Sequence, residues 1–405
     1  MEGNMKILYI NALYSPHVAG GAEISLKLIV EGMRARGHEV VVLSLVPEAG
    51  LSRDWVDGVK VYRAGLKNRY WPFSQERPGR LSRLAWHLTD RYNAAMGAVI
   101  RDVIRLENPL VVSCHNLVGW SIAVWDEVRR AGIPMVQVLH DLYLLCANSN
   151  MFKGGGPCTT QCFSCRTLRH RHRKRSMAVQ AVVGISQSIV DRFAAHGYFT
   201  GVPAFVIHNA RSIPEARSLR LRTAGQPLRV GYIGTLSAIK GVEWLIQQFK
   251  RSEIDGSLFI AGRGKDEDVA YFKTVAGNDD RIHFLGYADP QEFYAGIDVL
   301  VVPSLWEEPL GMVAIEGLAN NLPVIASDRG GLRESVFNGR NGIRCDPDRP
   351  DSLGDALNYL WRDTDGYNRL AEAARPSVAD YLSVERMVTE YEKVIDTVTG
   401  GHGVT

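Results

Sequence analysis

Short apolar segments alternate with stretches of helical periodicity along most of this 405-residue chain. The alternation starts near the N-terminus and begins again at Leu228, after a segment (209–227) rich in Arg, Ser, Pro and Ala that has no apolar period. Strands that alternate with helices form parallel sheets covered by helices on both faces. The sequence therefore predicts two doubly wound α/β domains joined by a linker, in agreement with a chain too long for one ordinary domain.

The predicted elements have ordinary lengths. In the first half, strands are predicted at residues 7–11, 40–44, 59–63, 110–113, 135–139, 181–184 and 204–208, and helices at 22–36, 81–106, 122–130 and 187–195. In the second half, strands are predicted at residues 229–233, 257–261, 282–285, 299–302, 324–326 and 342–345. Apolar residues recur at helical spacing over 384–398, which predicts one amphipathic helix near the C-terminus.

The net charge of +3 conceals an uneven distribution. Residues 1–210 carry 25 Lys+Arg against 15 Asp+Glu, whereas residues 211–405 carry 22 against 29. A basic first half suits an anionic surface or an anionic acceptor. No apolar run reaches the roughly 18–20 residues that span a bilayer, and the N-terminus lacks the pattern of a secretory signal. We therefore expect a cytoplasmic protein whose membrane contact, at the inner face, is peripheral.

The segment from Pro303 to Glu316 has the strongest pattern in the chain. It places two carboxylates, Glu308 and Glu316, on either side of a Pro-x-Gly turn between two apolar strands. Open α/β sheets bind ligands at the carboxyl ends of their strands, and the amides of Gly311 and Met312 at a helix N-terminus favour a phosphate. The arrangement suits a sugar joined to a nucleotide through a diphosphate. The alternative is a surface helix with two incidental acids, which dipole effects also favour.

This segment resembles the E-x7-E motif of the retaining glycosyltransferases of family 4, which have the GT-B fold. The resemblance rests on a Pro-Ser after the strand, an acidic pair, a Pro-hydrophobic-Gly and the second Glu, and it covers nearly the whole chain. It implies two Rossmann-like domains facing a central cleft. The implied boundaries are 1–210 for an acceptor-binding domain with a Cys-rich basic insertion at about 142–176, 211–380 for a nucleotide-sugar-binding domain, and 381–405 for a helix that crosses back to the first domain, with a tail.

The resemblance also implies roles for the acidic motif. Glu316 is expected to hold the ribose, and Glu308 is expected to bind and orient the donor sugar. The residues of the turn, Leu310, Gly311 and Met312, are expected to line the donor site.

A second loop is expected to meet the donor phosphates. The segment from Gly231 to Gly241 predicts a strand, a loop and a Lys-Gly pair that opens a helix. Lys240 can neutralise diphosphate oxygens there, and the helix N-terminus adds partial positive charge. Many family members have Arg where this chain has Thr235. Either Lys240 acts with backbone amides alone, or Arg263 supplies a second cation.

Three further segments of the first half are candidates. Gly20 and Gly21 follow the first strand, and glycines allow backbone to approach a ligand closely; they resemble the family's loop facing the donor phosphate and the acceptor. His140 ends a strand, and the resemblance implies that it lies near the transferred sugar, with Asp141 fixing either its tautomer or a nearby loop. Asn116 is a weaker polar candidate for the acceptor.

Four cysteines fall within twenty residues: Cys146, Cys158, Cys162 and Cys165. In a cytosolic protein this density favours a structural metal, zinc, over disulfides. The spacing is not that of a standard zinc motif, and a set of small buried thiols is an equal alternative. We expect no catalytic cofactor.

A basic run at 166–175 follows, and no Asp or Glu occurs between Asp141 and Asp191. It is interpreted as either a solvated helix face or a surface that attracts anionic lipid or a lipid-diphosphate acceptor. Nucleic acid is a poorer partner, because no recognition motif or aromatic platform accompanies the run.

These features together predict a metal-independent, retaining glycosyltransferase. It would move a sugar from a UDP- or GDP-linked donor to an acceptor hydroxyl on a glycan or lipid-linked intermediate, such as one of surface-polysaccharide assembly. Two alternatives stay open. One is a GT-B epimerase acting on the sugar nucleotide, and the other is a binding partner that has lost catalysis.

Overall fold

The structure is a computed structural model that describes residues 4–74, 78–214 and 219–400. It divides into two compact units. The first comprises the described parts of residues 1–151, 159–210 and 384–405, and the second those of 152–158 and 211–383. Part of the expected linker (215–218) and of the expected tail (401–405) lies outside the described residues.

The strands are short, as is usual for α/β proteins. Among the described residues they are β1 (Lys6–Ile10), β2 (Glu39–Val46), β3 (Leu51–Val56), β4 (Val59–Gly65), β5 (Val111–Cys114), β6 (Met135–Leu139), β7 (Phe152–Lys153), β8 (Gly156–Pro157), β9 (Ala181–Gly184), β10 (Ala204–Val206), β11 (Leu228–Ile233), β12 (Gly256–Ala261), β13 (Ile282–Gly286), β14 (Val299–Val302), β15 (Val324–Ser327) and β16 (Gly342–Cys345).

Helices occupy the connections. They are α1 (Gly21–Ala35), α2 (Arg80–Asp90), α3 (Ala94–Glu107), α4 (Ala123–Arg130), α5 (Phe163–Leu168), α6 (His172–Ser176), α7 (Gln187–Ala195), α8 (Val242–Arg251), α9 (Asp266–Ala276), α10 (Pro290–Gly296), α11 (Met312–Ala319), α12 (Leu332–Ser335), α13 (Ser352–Arg362), α14 (Thr364–Ala374) and α15 (Val384–Thr399). Two 3-10 segments lie at Ala238–Lys240 and Pro376–Leu382. None of these helices combines the length and the apolar character that a bilayer span requires.

The first unit is built on a sheet in the order β10-β9-β6-β5-β1-β2-β4-β3. Its strands are parallel apart from β3, which pairs antiparallel with β4 at the edge. The inner strands are buried along their length, as expected when helices cover both faces. Since β1 lies between β5 and β2, the order reverses at β1 and β5, and ligands bind at such a switch point.

The predicted helix at residues 81–106 is wrong, because the structure divides it into α2 and α3. Residues 91–93 separate the two helices, and the side chain of Asn93 accepts a hydrogen bond from the amide of Met96 at 3.2 Å. This is an N-cap, which starts a new helix and satisfies one of its free amides. The apolar period continues through the break, so periodicity alone did not reveal it.

The C-terminal helix α15 belongs to the first unit and packs along α1. A Cβ atom at Gly32 would lie 2.4 Å from Cγ2 of Val388, so the two helices meet at a distance that only glycine allows. The Glu392 carboxylate lies 2.8 Å from Nε2 of His38 and pairs with Arg36. The amide of Met5 donates to Nδ1 of His38, which makes Nε2 the ring nitrogen that donates to Glu392.

The second unit contains a six-stranded parallel sheet in the order β13-β12-β11-β14-β15-β16. Its buried core joins the apolar faces of the central strands to α8, α9, α13 and α14. The order reverses between β11 and β14, which pair side by side. The loops that leave the carboxyl ends of these two strands therefore lie at the position where doubly wound sheets bind ligands. One loop carries Lys240 and the other carries Glu308.

Candidate active site

Glu308 lies in the loop after β14 and is buried. Its Oε1 atom accepts hydrogen bonds from Nζ of Lys240 at 2.5 Å and from Oγ of Ser304 at 2.6 Å. Burial alone would raise the pKa of Glu308, but the charge of Lys240 and the bonds from Lys240 and Ser304 hold the pKa below its ordinary value. The site thus contains a buried, ionised carboxylate paired with one cation.

Lys240 is held in place by a close approach of two loops. It ends a 3-10 turn, and the following Gly241 has a φ of +72°. A Cβ atom at Gly241 would lie 1.9 Å from the carbonyl oxygen of Pro303, so only glycine fits. The amide of Leu305 donates to the carbonyl of Ile239 at 2.9 Å. These contacts join the loop after β11 to the loop after β14 and set the distance between Lys240 and Glu308.

The turn that precedes α11 is equally constrained. Gly311 has a φ of +86°, and a Cβ atom there would lie 2.4 Å from Cδ2 of Leu332. Leu310 is buried, and Met312 is the first residue of the helix. The first amides of a helix have no acceptor within it, so the turn presents donors and a partial positive charge. The predicted residues Leu310, Gly311 and Met312 therefore lie together at a helix N-terminus, a few residues after Glu308.

Glu316 lies one turn into α11. Its Oε2 atom accepts a hydrogen bond from the hydroxyl of Tyr294 on α10 at 3.0 Å. Burial raises the pKa of Glu316, and the Tyr294 bond and the charge of Arg211 offset part of that increase. Tyr294 is itself buried, so it fixes one carboxylate oxygen.

Thr235 and Arg263 lie on adjacent loops of the second unit. The carbonyl of Thr235 accepts a hydrogen bond from the hydroxyl of Tyr232 at 2.8 Å, and the amide of Leu236 donates to the carbonyl of Arg263 at 2.8 Å. Both side chains are exposed, and the Arg263 guanidinium lies 4.8 Å from the ring centre of Tyr287. Arg263 is therefore placed on the loop next to the one that carries Thr235.

In the first unit, His140 directly follows β6 and is buried. Its Nε2 atom lies 2.9 Å from Nδ1 of His115, and the two rings stack with centroids 5.2 Å apart. The Nε2 atom of His115 lies 3.0 Å from Oγ of Ser113. The ring partner that the structure gives His140 is thus a second histidine, which follows the neighbouring strand β5.

Asp141 holds a loop through its carboxylate oxygens. Its Oδ1 atom accepts from the amide of Tyr143 at 2.8 Å, and Oδ2 accepts from Nδ2 of Asn116 at 3.4 Å. The amide of Asn116 in turn donates to Oδ1 of Asn11 at 2.8 Å. The structure therefore brings together the predicted residues His140, Asp141 and Asn116 at the carboxyl ends of β1, β5 and β6.

Gly20 and Gly21 are exposed at the start of α1. The amide of Gly20 donates to Oε2 of Glu23 at 2.8 Å. Glu23 is buried, and burial raises the pKa of its carboxyl group. A carboxylate of the chain thus stands at this helix N-terminus, where an anion is electrostatically favoured.

The described residues include all four cysteines, and the expected four-thiol metal site stays a prediction. They contain no group of three or more His, Cys, Asp or Glu side chains arranged to hold a metal ion. Cys146 and Cys165 are buried, and their sulfur atoms lie 3.6 Å apart. Cys158 and Cys162 are half-buried. The spacing of the cysteines in the sequence did not reveal how α5 orients their side chains.

The basic run at 166–175 is not a uniform solvated face. Arg169 and His172 are buried, and Nη1 of Arg169 lies 3.6 Å from Oδ2 of Asp90. The Arg169 guanidinium also lies 4.3 Å from the ring centre of Tyr143. Arg175 pairs with Asp126. Part of the run therefore stabilises the first unit, and the rest is exposed.

Sequence reasoning missed several residues of these sites. Ser304 stands four residues before Glu308 in the motif itself, so its hydroxyl was a visible signal. Tyr294, Arg211 and His115 reach their partners only through the fold, because they come from different elements. No local pattern identifies them.

Two Rossmann-like units, with a Lys–Glu pair and a helix N-terminus at the switch point of the second, define a glycosyltransferase of the GT-B class. The family description "Glycosyl transferase 4-like domain" matches residues 20–210, and "Glycosyl transferases group 1" matches residues 227–363. The chain belongs to these family 4 glycosyltransferases.

Curated relatives span nearly the whole chain. An uncharacterised 42.6 kDa protein in the cps region of Klebsiella pneumoniae is 30% identical over 331 residues, which is 82% of this chain and 87% of that protein. A GDP-mannose-dependent alpha-mannosyltransferase of Mycolicibacterium smegmatis is 26% identical, with 96% of this chain and 98% of the relative covered.

Solved structures share the fold. A sucrose-phosphate synthase of Thermosynechococcus elongatus superposes with a TM-score of 0.77 at 17% identity, covering 98% of this chain and 100% of that one. An Anabaena protein in complex with UDP-glucose gives a TM-score of 0.71 at 19% identity, covering 97% and 100%. The fold class predicted from the sequence, GT-B with two Rossmann-like domains, is confirmed.

Proposed function

We propose that this enzyme transfers a hexose, with retention and without a metal ion, from a UDP- or GDP-linked sugar to an acceptor hydroxyl. The observation that carries the proposal is the ion pair between the half-buried Lys240 and the buried Glu308, close to the N-terminus of α11. A cation, a set of free amides and a fixed carboxylate are the groups needed to bind a diphosphate and a polyol together.

The negative charge of the leaving diphosphate is what the site must stabilise. Charge develops on its oxygens as the bond to the anomeric carbon breaks, and preorganised donors stabilise that charge without reorganising. Lys240 and the amides of Gly311 and Met312 supply such donors, and Arg263 is placed to add a second cation in place of the arginine that Thr235 replaces. Since Lys240 is also the counter-ion of Glu308, a bound diphosphate would share that cation.

The two carboxylates have different partners, and this supports different roles. Glu308 is ionised and retains lone pairs beyond those used by Lys240 and Ser304, so it can accept hydroxyls of the donor sugar. Glu316 has one oxygen held by Tyr294, and the other can accept from the ribose. A carboxylate that accepts two vicinal hydroxyls must be ionised, which couples donor binding to the pKa of Glu316.

We assign the acceptor side to the first unit. His140, Asp141 and Asn116 supply polar groups at the carboxyl edge of its sheet, and Gly20 and Gly21 supply an exposed helix start. A glycan or lipid-linked acceptor at the cytoplasmic face of a membrane suits the basic charge of residues 1–210. The Klebsiella relative lies in a cps region, which supports an acceptor of surface-polysaccharide assembly.

The test has two stages. First, thermal shift against a panel of UDP- and GDP-linked sugars should identify one donor that stabilises the wild type and not Glu316→Gln. Second, incubation of that labelled donor with a lipid extract should give a labelled glycolipid. NMR should show that the transferred sugar keeps the anomeric configuration of the donor. The yield should be the same in EDTA, because no metal ion takes part. Release of a free isomerised sugar would identify an epimerase instead. Donor binding without any transfer would identify a partner that has lost catalysis.

A further inference from the structure

Helix α2 presents a row of leucines to solvent. Leu81, Leu84 and Leu88 are 84%, 50% and 49% exposed, and their spacing of three and four residues puts them on one side of the helix. The opposite side is anchored in the first unit by two buried residues, Trp86 and Asp90. Single exposed apolar residues are normal on protein surfaces. Three on one helical face form a stripe, and such a contiguous apolar stripe marks an interaction site.

The same helix carries cations and no exposed acid. Arg80 is exposed and Arg83 is half-buried, and the one acidic residue of α2 is the buried Asp90. An amphipathic helix of this kind, with Leu on one side and Arg beside it, is typical of proteins that bind at the interface of a bilayer.

A second basic segment is joined to the end of α2. The Nε2 atom of His172 on α6 lies 3.3 Å from the carbonyl oxygen of Arg91, which directly follows α2. Arg169 pairs with Asp90, the last residue of α2. The buried members of the basic run therefore attach α5 and α6 to α2. The exposed members of the run are Arg166, His170, Arg171, Arg173 and Lys174.

Exposed apolar residues bracket this segment as well. Phe163, the first residue of α5, is 79% exposed, and Met177, directly after α6, is 50% exposed. No Asp or Glu lies between residues 141 and 191 to offset the charge. Cations interleaved with large apolar side chains match a surface that inserts apolar groups among lipid headgroups and binds their phosphates.

We propose that the α2–α6 surface, consisting of the leucines of α2 and the exposed residues of 163–177, docks on an anionic lipid bilayer. A second copy of this chain is a poor occupant, because a two-fold contact would bring the same cations together. An anionic bilayer satisfies both the charge and the apolar stripe. The inference rests on the proposed transfer to a membrane-borne acceptor, since docking would bring the first unit to that acceptor.

The experiment is co-sedimentation of the full chain with vesicles of phosphatidylcholine, with and without phosphatidylglycerol. We expect binding to the mixed vesicles and not to phosphatidylcholine alone, weakening as salt screens the cations. The variant Leu81→Ser/Leu84→Ser/Leu88→Ser should lose at least about tenfold in vesicle affinity, since each leucine contributes buried apolar area. The variant Arg171→Gln/Lys174→Gln should lose up to about thirtyfold in vesicle affinity, the amount expected for two interfacial charges at about 1 kcal/mol each.

Two matched controls separate docking from general surface effects. Leu106→Ser removes a leucine that is 66% exposed on α3, and Arg251→Gln removes an exposed arginine of the second unit. Both should bind vesicles as the wild type does. Equal vesicle binding by the triple leucine variant and the wild type would overturn the proposal. So would a dimer, measured by sedimentation velocity, that the leucine variant converts to a monomer.

Failure of the docking proposal is distinguishable from failure of the proposed activity. Vesicle binding needs no donor and no turnover, whereas donor stabilisation in a thermal-shift assay needs no membrane. The triple leucine variant should therefore keep the wild-type response to the donor while losing vesicle binding. Its melting temperature should stay close to that of the wild type, because about half or more of each leucine side chain is already exposed.

Discussion

Nδ1 of His115 lies 2.9 Å from Nε2 of His140, and the two imidazole rings are stacked. The other ring nitrogen of His115, Nε2, lies 3.0 Å from Oγ of Ser113. Burial, together with the neighbouring His140, holds the pKa of His115 well below its usual value, so His115 is neutral. A neutral imidazole has one donor and one acceptor nitrogen. His115 therefore couples the orientation and tautomer of His140 to Ser113.

This relationship predicts that His115→Phe, which keeps a stacked ring and removes the hydrogen bond, lowers kcat about tenfold, the loss expected for one buried hydrogen bond. The donor KM should change little, since the proposed role of His140 is on the acceptor side. Ser113→Ala should give a smaller loss of the same kind. Steady-state kinetics on both variants would check this, and an unchanged kcat in His115→Phe would contradict it.

Lys240→Ala should lower kcat about a hundredfold or more, the usual cost of removing one preorganised donor at a developing anion. The substitution also leaves Glu308 buried beside Ser304 without a cation, so the pKa of Glu308 should rise. Lys273→Ala, an exposed lysine on α9 of the same unit, is the control and should behave as wild type. Equal kcat values for the two variants would show that Lys240 does not stabilise the leaving phosphate.

Glu316→Gln should raise the donor KM at least about tenfold, because an amide nitrogen cannot accept from ribose hydroxyls. Burial raises the pKa of Glu316 in the folded chain. In the wild type the donor KM should therefore rise as pH falls towards that pKa, whereas in Glu316→Gln it should lack this component. The exposed Glu292→Gln on α10 is the control. A wild-type KM profile in Glu316→Gln would rule out the ribose assignment.

The elements that sequence predicted best are the buried parallel strands. Strands β9 and β14 are continuous apolar runs because both faces are covered, and their predicted bounds match. The edge strand β3 was missed, since it is almost wholly exposed and its residues (Leu51–Val56) show no apolar run. The break between α2 and α3 was missed because buried residues continue the helical period on both sides of it.

The residues of the candidate site also fall into two groups, those that a local motif predicts and those that only the fold brings together. Glu308, Gly311 and Glu316 lie within one short motif, so their proximity follows from local geometry. The contact of His115 with His140 depends on β5 pairing with β6, and that of Glu316 with Tyr294 depends on α10 packing beside α11. Close spacing suggested a common site for the four cysteines, whereas the fold buries Cys146 and Cys165 with their sulfur atoms 3.6 Å apart and leaves Cys158 and Cys162 half-buried.

Arg169→Met should destabilise the protein by about 3–5 kcal/mol, because it breaks a buried ion pair and leaves one partner in place. Asp90 would retain bonds from the amide of Gly119 and the hydroxyl of Tyr143, but no cation. Denaturant unfolding would measure the loss. Adding Asp90→Asn should recover part of it, while Arg171→Met, at an exposed position of the same run, should change stability by less than about 0.5 kcal/mol. A loss of stability below about 0.5 kcal/mol in Arg169→Met as well would contradict a structural role for Arg169.

Asp141→Asn should change how stability depends on pH. Burial raises the pKa of Asp141 to about 6, although the amide of Tyr143 and the charge of Arg169 offset part of the shift. In the unfolded chain the pKa is about 3.9, so between these values the folded state binds more protons and its stability falls as pH rises. The melting temperature of Asp141→Asn relative to wild type should therefore increase from about pH 4 to about pH 6, then level off. Asp102→Asn controls for the loss of one exposed negative charge, and a difference for Asp141→Asn that is constant over this range would mean that Asp141 is ionised throughout.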